Sequence, residues 1–430
     1  MARGSAATRT PELDHQVAIH ADPVSDPARV ALIRLCAAGF VAYCSYAICR
    51  TPLLPLFARE LGAGPAMIGF VMGASTLTGI VVKLPAGALS DVFGRRRLLI
   101  AGALVFASLP FTYLAVSTLF VLVLLRFVHG AATAIFGPVA SASLSDVAPP
   151  ASRGTWLSTY STVQGTGQAL GPVLAGYLIA TGRFDLAFLA SGLIGVAVPF
   201  IVAGWPEVSR AGPASAKGTP GKPARAPWQE FRRGVAEVGR DRLVIVTSGA
   251  QAAQFVLNGM LNAFLPLYGR DVLGLTTSQL GWLFALQTVT TLAVRPVIGF
   301  VSDRAGRRWV IVTGLTICGA AMLVVSMATN LAGTVTAILM YAAGVATTTA
   351  ATSAYITDIT RRARYGAAHG VFGTIYDVGD ALGPIAGGLL VASLGYASMF
   401  QVMAAVALVM ALVFAITSKA TAAERKGALS

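Results

Sequence analysis

Long apolar stretches recur along nearly the whole chain of 430 residues. A helix needs about 20 mostly apolar residues to cross the hydrocarbon core of a bilayer. Charged residues make up 12% of the sequence, whereas a soluble domain has roughly 25%. The chain is therefore predicted to be an all-α membrane protein with twelve transmembrane helices. We place these spans at residues 31–56, 66–90, 98–118, 119–145, 155–180, 185–204, 242–268, 278–302, 309–329, 332–357, 366–393 and 396–418.

The chain also contains an internal repeat with an offset of 212 residues. The stretch GALSDVFGRRR at 87–97 returns as GFVSDRAGRR at 299–308. An offset of half the chain indicates a duplication. Each half holds six predicted spans, an even number, so both halves enter the membrane in the same orientation. This arrangement predicts two pseudo-symmetric six-helix bundles with a functional site between them.

The basic residues lie mainly on one side of the predicted membrane. The loops on the side of the two termini hold most of them, including Arg95 and Arg304, whereas the opposite loops hold only Arg59, Arg183 and Arg270. By the positive-inside rule, both termini are cytoplasmic and the chain is a multi-pass protein of the cytoplasmic (inner) membrane. This topology explains the net charge of +14, so we expect no nucleic-acid partner.

The sequence divides into five segments. We expect a cytoplasmic N-terminal tail at 1–30, an N-terminal six-helix bundle at 31–204, a cytoplasmic linker at 205–241, a C-terminal six-helix bundle at 242–418 and a cytoplasmic tail at 419–430. The linker is rich in Pro, Gly, Ala and basic residues, which is typical of a connection between bundles. We expect the protein to act as a monomer.

The repeated loop motif lies where the second and eighth spans leave the membrane. Gly87 allows close approach of helices, Gly94 suits a tight turn, and Arg95 favours the negative end of the preceding helix. Asp91 lies at a helix C-terminus, where a carboxylate needs an external partner. A latch between the bundles would comprise Gly87, Asp91, Gly94, Arg95, Asp303 and Arg307. A topogenic loop with a capping aspartate is the alternative, but the second copy of the motif favours the latch.

With these motifs the chain resembles the major facilitator superfamily, in particular its twelve-span drug/proton antiporter branch. GALSDVFGRRR is similar to the family's cytoplasmic loop signature, and LLRFVHGAATA at 124–134 is similar to its arginine-then-glycine motif in the fourth span. The resemblance implies an interdomain role for Asp91 and a role in proton transfer for Arg126. An arginine within a span is also a functional candidate by itself, because an unpaired buried guanidinium is costly. A structural ion pair or a side chain that reaches the interface is the alternative.

A glycine-proline frame occurs in the fifth and eleventh spans. GTGQALGPVLAG at 165–176 resembles the family's antiporter signature. Glycines let a neighbouring backbone approach closely, and proline removes one helical hydrogen bond. Hinges or seals are therefore predicted at Gly167, Gly171, Pro172, Gly383 and Pro384. Ordinary packing of small residues is the alternative.

Two aspartates, Asp377 and Asp380, lie near the middle of the eleventh span. Residues three apart share a helical face, and close carboxylates in a low dielectric favour protonation of one of them. The pair is therefore a candidate for proton coupling, together with Arg126. The alternative is that both aspartates stay ionised and form ion pairs with buried cations. The candidate cations are Arg50, Lys83 and Arg295.

The resemblance further implies that the first, fourth, seventh and tenth spans line a substrate cavity. Candidate substrate contacts on these spans are Arg50, Tyr43, Tyr46, Arg126, Gln251, Gln254, Asn258, Asn262 and Tyr341. The first span carries no carboxylate, unlike many proton-coupled exporters that the chain resembles. A cavity with Arg50 and Arg126 would favour anionic or zwitterionic solutes.

No feature of the sequence indicates an enzyme. The GxxxxGK[ST] phosphate-binding motif does not occur, and the histidines lack metal-ligand spacing, so we expect neither ATP nor a metal or other cofactor. The expected function is secondary transport by alternating access, in which a small toxic or metabolic solute leaves in exchange for protons. Its partners are the solute, protons and the lipid bilayer. The alternatives are an importer or facilitator on the same fold and a membrane assembly or sensor protein that does not transport.

Overall fold

The structure is a computed structural model that describes residues 26–205, 239–360 and 364–427. The side chains of residues 26, 83–93, 366 and 419–427 are outside this description. Most of the predicted N-terminal tail and linker, at 1–25 and 206–238, also lies outside the described residues. Those two segments therefore stay predictions.

The described residues form helices and contain no strand. The N-terminal half holds α1 Asp26–Arg50, α2 Leu53–Glu60, α3 Pro65–Phe93, α4 Arg95–Thr112, α5 Leu119–Val147, α6 Arg153–Ile179 and α7 Phe184–Ala203. The C-terminal half holds α8 Arg242–Asp271, α9 Thr277–Ala305, α10 Arg307–Met327, α11 Leu331–Ile359 and α12 Tyr365–Gly427. Within α12, Gly395 has a φ of 81° and a ψ of 174°, which are not helical, so α12 comprises two consecutive helices.

Ten stretches of the described residues are long and apolar enough to cross a membrane. α1 and α2 together form the first stretch, and the last one, Ala367–Ser418, contains both helices of α12. α6 is not among them, since Ser, Thr, Gln and Gly fill much of its 27 residues. With α6 and the division of α12, the long helices number twelve in the described residues. The predicted all-α membrane fold is confirmed.

The two halves repeat the same packing at the offset of 212 residues. α1 packs on α6 as α8 packs on α12, and α3 packs on α5 as α9 packs on α11. The side chains of Thr118 and Asn330 cap α5 and α11 by accepting hydrogen bonds from the N–H groups of Val121 and Gly333. These caps satisfy backbone donors that the start of a helix leaves free. Corresponding residues of the duplicated sequence thus make corresponding bonds.

The turns of the repeated loop motif also correspond. Gly94 separates α3 from α4 with a φ of 85°, and Gly306 separates α9 from α10 with a φ of 86°. Glycine adopts positive φ values at little cost because it lacks a Cβ atom. The chain can therefore reverse direction within one residue between successive membrane helices.

Candidate functional site

The backbones of the two halves meet at five glycines on the side predicted to be outer. Four of them form two equivalent pairs, and the fifth, Gly73, faces the carbonyl oxygen of Ala381. A Cβ atom on Gly69 of α3 would clash with the carbonyl oxygen of Pro384, and one on Gly281 of α9 would clash with that of Pro172. The two contacts are equivalent, because 69 and 281, like 172 and 384, differ by 212. A second equivalent pair comprises the contacts of Gly176 with Thr277 and of Gly388 with Pro65. Glycine thus lets α3 pack on α12, and α6 on α9, at backbone distance.

The predicted hinge residues lie in or beside these contacts. Pro172 and Pro384 supply carbonyl oxygens that face the opposite half. Gly167 and Gly171 instead face the backbone of α1, and Gly383 faces that of α8. The prolines therefore belong to the contact between halves, whereas the three glycines bring helices together within a half. The hinge role stays a prediction.

One ion pair joins the halves at the same end of the molecule. Arg59 of α2 contacts Asp271 at the end of α8, and the hydroxyl of Tyr396 lies 3.3 Å from Oδ2 of Asp271. Positions 59 and 271 differ by 212, so the pair joins equivalent positions and lies on the pseudo-two-fold axis. The Arg59 side chain is 47% exposed. Because exposed pairs contribute about 0–1 kcal/mol, the glycine contacts supply most of this closure.

The same helices diverge toward the opposite end, which carries Arg95. Gly79 of α3, Gly299 of α9 and Gly370 of α12 have no atom within 4 Å of the position of a Cβ atom. Gly79 lines a cavity between the halves together with residues of α1 and α12. Among the described residues, the two halves therefore touch at the end that carries Arg59, the Arg59 end, and separate toward the Arg95 end.

A polar cluster joins the halves near the centre of the molecule. Nη2 of Arg50, the last residue of α1, lies 3.5 Å from Oδ2 of Asp380 on α12. Thr76 of α3 donates a hydrogen bond to the same carboxylate at 3.1 Å, and Asn258 of α8 donates one at 3.5 Å. Gln287 of α9 in turn donates to Asn258 at 3.4 Å. Asp380, with 12% of its side chain exposed, thus binds side chains from both halves.

Two cavities flank this cluster, and Tyr43, Tyr46 and Arg50 line both of them. The first has a volume of about 210 Å³, and its other lining residues include Gln168, Pro172, Asn258, Asn262, Phe284, Gln287 and Thr288. The second has a volume of about 190 Å³, and its other lining residues include Ser75, Thr76, Thr133, Asp377 and Asp380. The structure therefore brings five of the predicted substrate contacts together with both predicted proton-coupling aspartates.

The three cations considered for the aspartates have different positions. Arg50 pairs with Asp380, Arg295 is exposed, and the side chain of Lys83 lies outside the described part of the chain. Asp377, one turn before Asp380 on α12, is 8% exposed and faces the second cavity. Asp380 thus has the ion pair that is expected if the aspartates balance buried cations. Arg50 and Asp380 also line the second cavity, so the pair is accessible from it.

Arg126 lies behind the cavity wall and does not face either cavity. Its side chain is fully buried on α5, and its Nη2 donates to the hydroxyl of Ser75 at 2.6 Å. Ser75 lines the second cavity, so one side chain separates Arg126 from it. Nε and Nη1 of Arg126 have no hydrogen-bond partner among the described residues. His129, one turn later, shares this buried region and contacts the hydroxyl of Tyr113 at 3.3 Å.

The loop motifs form ion pairs inside each half. Nε of Arg95 lies 2.8 Å from Oδ2 of Asp146 at the end of α5. Arg307, the equivalent of Arg95, contacts Asp358, the equivalent of Asp146, at 2.7 Å and also Asp303 at 2.7 Å. The predicted latch requires pairs that join the two halves. In this conformation the described pairs join helices within one half. The side chains of Gly87 and Asp91 lie outside the described residues.

Three predicted substrate contacts are elsewhere. Gln251 and Gln254 are buried and hydrogen-bonded to each other at 2.7 Å, with Thr349 of α11 as a shared partner. The hydroxyl of Tyr341 donates to the carbonyl oxygen of Gln254 at 3.5 Å. These residues thus pack α8 on α11. Sequence reasoning missed the cavity residues on spans two, five and eight, which include Thr76, Gln168 and Gln287. The available signal was a polar residue within an apolar helix.

Comparisons with known proteins agree with this architecture. A sequence profile of the Major Facilitator Superfamily matches residues 35–278 and 247–429. An MFS-type transporter of Methanocaldococcus jannaschii is 24% identical over 363 residues, which are 84% of this chain and 92% of that protein. The multidrug resistance protein MdtG of Dickeya zeae is 26% identical over 374 residues, which are 83% of this chain and 87% of that protein.

Solved structures show the same fold. A bacterial homologue of the human lysosomal transporter Spinster, in an inward-facing and unoccupied conformation, matches with a TM-score of 0.77 and 16% identity, covering 92% of this chain and 98% of that one. The nucleoside transporter NupG matches with a TM-score of 0.73 and 14% identity, covering 90% of this chain and 99% of that one. Taken with the family profile over almost the whole chain, these matches show that the protein is a multi-pass membrane transporter of the Major Facilitator Superfamily and not an enzyme.

Proposed function

We propose that this transporter exports a small toxic or metabolic solute in exchange for protons. It would lie in the cytoplasmic (inner) membrane as a monomer with both termini in the cytoplasm, and the proton gradient would be its energy source, without a cofactor. The observation that carries the proposal is the position of Asp377 and Asp380, which open on cavities between the halves while Asp380 holds side chains of both halves. The multidrug resistance proteins among the relatives support export.

The ion pair between Arg50 and Asp380 suggests how proton binding would change the conformation. An ionised Asp380 attracts Arg50 and accepts the hydrogen bond of Thr76, and both of these partners belong to the N-terminal half. A protonated carboxyl group loses the charge attraction and the charge-assisted strength of that hydrogen bond. Protonation thus weakens the central link between the halves. The charged and titratable neighbours of Asp380 on the packed helices are Arg50, Tyr46, Tyr341 and Asp377.

The open side of the structure suggests where the solute enters. The halves touch at the Arg59 end and separate toward the Arg95 end. By the positive-inside rule, the Arg95 end faces the cytoplasm. A cytoplasmic solute can then reach the aromatic and amide groups of the first cavity, and separation of the glycine contacts would release it outside.

The test is a panel of solutes in membrane vesicles, with uptake and efflux followed with and without an imposed pH gradient. We expect gradient-driven movement of at least one solute by the natural protein. The Asp377→Asn and Asp380→Asn double variant should lose the dependence on the gradient while the protein stays in the membrane. Asp185→Asn is a matched control, because this aspartate lies at the outer end of α7 and pairs with Arg183.

Each other outcome has a clear meaning. Solute movement that ignores both the pH gradient and the double variant would identify a facilitator with structural aspartates. Gradient-driven accumulation in the direction opposite to export would identify an importer. Either result refutes proton-coupled export.

A further inference from the structure

A third cavity lies between the halves at the Arg59 end, outside the polar cluster. Its volume of about 430 Å³ is within the range of small-ligand sites, roughly 300–1,000 Å³. Apolar side chains form part of its wall, namely those of Leu56, Ile179, Phe184 and Leu275. The N-terminal half contributes α2, α6 and α7, and the C-terminal half contributes α8 and α9. We call this cavity the outer crevice.

Opposite charges from the two halves line the outer crevice. Glu60 of α2 contributes a carboxylate, and Arg270 of α8 contributes a guanidinium. The hydroxyl groups of Thr276 and Ser278, at the start of α9, lie on the same wall, where the helix dipole favours negative charge. The neighbours Arg59 and Asp271 pair with each other, and the ion pairs of the described residues do not join Glu60 to Arg270. The crevice can thus bind a cation at the carboxylate of Glu60 and an anion at Arg270 and the start of α9.

Two exposed aromatic residues mark the level of the outer crevice in the membrane. Trp282 of α9 and Tyr177 of α6 are each 56% exposed, and Nε1 of Trp282 donates to the hydroxyl of Tyr177 at 3.2 Å. Such residues are enriched where the hydrocarbon core meets the headgroups. Ser278 precedes Trp282 by one turn on the same face of α9, and one turn rises about 5.4 Å. The crevice therefore lies at the height of the lipid headgroups.

From these observations we propose that the outer crevice binds the headgroup of a phospholipid that carries both a phosphate and a primary ammonium group, as phosphatidylethanolamine does. The ammonium group donates to Glu60. The phosphate accepts from Arg270 and from one of the hydroxyls of Thr276 and Ser278, which are hydrogen-bonded to each other at 3.1 Å and so leave one proton for the ligand. A choline headgroup has a cation without N–H donors, and a glycerol headgroup has no cation. The charge pattern therefore selects the ethanolamine headgroup over both.

A lipid in this position binds both halves at once. The outer crevice needs α2 and α6 next to α8 and α9, so it exists only while the Arg59 end is closed. A ligand shifts a conformational equilibrium toward the state that it binds better. The lipid therefore stabilises the conformation in which the Arg59 end is closed, a consequence that rests on the proposed alternating access.

Lipid retention tests the site without any transport assay. The purified full chain is mixed with phosphatidylethanolamine, phosphatidylcholine and phosphatidylglycerol of identical acyl chains, and retained lipid is counted by native mass spectrometry. We expect retention of the ethanolamine lipid to exceed that of the other two by roughly tenfold, as charge-assisted hydrogen bonds allow. Glu60→Gln and Arg270→Gln should each abolish this preference. The control Arg183→Gln removes an exposed outer arginine that is not among the lining residues and should keep it.

Several results would overturn the proposal. Equal retention of the three lipids by the natural protein is one, and an unchanged preference in both variants is another. Binding of soluble glycerophosphoethanolamine as tight as that of the lipid would assign the crevice to a free zwitterionic solute instead. If Glu60→Gln misfolds, Glu60→Asp keeps the charge, and loss of the preference in this folded variant would also contradict the assignment.

Discussion

Replacing Gly69 and Gly281 by alanine should open the Arg59 end of the transporter. The added Cβ atom would lie 2.9 Å from the carbonyl carbon of Pro384 in one case and 3.1 Å from that of Pro172 in the other. The carbonyl oxygens of the same residues are closer still. Ordinary contacts lie at about 3.5–4.0 Å, so each backbone contact has to widen by roughly 1 Å. Both contacts join the two halves, so separation of the halves relieves the clash.

The expected shift follows from the cost of overpacking. A clash of this kind costs about 1–3 kcal/mol, which corresponds to a change of roughly 5- to 150-fold in an equilibrium constant. Each substitution should therefore favour the conformation open at the Arg59 end by that factor. Helix formation does not suffer, because alanine favours helices more than glycine does.

Spin labels on loops at the Arg59 end can measure the opening. Ser117 and Thr329 are exposed, differ by 212 and precede α5 and α11, so cysteines at these positions report the separation of the halves. The four natural cysteines are buried. Gly299→Ala is the control, because this glycine is on α9 like Gly281 but its Cβ position has no neighbour. Identical distance distributions in the Gly69→Ala and Gly281→Ala double variant, the control and the natural protein would refute the role of the glycine contacts.

Three further changes test the remaining contacts. Exchanging the charges of Arg59 and Asp271 should preserve the closed population, whereas reversing only Arg59 should open it, and the same spin labels distinguish the two results. Arg50→Gln leaves the carboxylate of Asp380 without its cation and should lower the free energy of unfolding by about 1–3 kcal/mol. The loss is smaller than for a fully buried pair because the Arg50 side chain is 25% exposed. Adding Asp380→Asn should restore part of that loss in a denaturation experiment. Arg126→Met removes a buried cation with two unfilled donors, so it should raise the melting temperature or leave it unchanged while transport is lost.

The sequence predicted those features that depend on period, composition and repetition. Twelve apolar stretches and an offset of 212 residues were enough for the all-α fold and for the equivalence of Arg95 with Arg307. The glycine-proline frames pointed to close helix contacts at Pro172 and Pro384, although not to their partners Gly281 and Gly69. A sequence pattern shows that a glycine allows close approach, whereas the partner depends on which helices meet across the halves.

Side-chain partners were the least predictable part of the site. Gln251 and Gln254 were expected in the cavity, but they satisfy each other and Thr349 inside the C-terminal half. Arg59 was considered only for topology, although the opposite charge at the equivalent position Asp271 was a usable signal. Arg50 was considered both as a contact for an anionic solute and as a cation that balances the aspartates, and in the structure it pairs with Asp380.

The most direct test of proton coupling is the distance between labels at Ser117→Cys and Thr329→Cys, measured as a function of pH in lipid vesicles without any solute. We expect two distance populations whose ratio changes with pH in the natural protein and becomes independent of pH in the Asp377→Asn and Asp380→Asn double variant. A ratio that does not change with pH in the natural protein, or that changes equally in the double variant, would contradict proton coupling through α12.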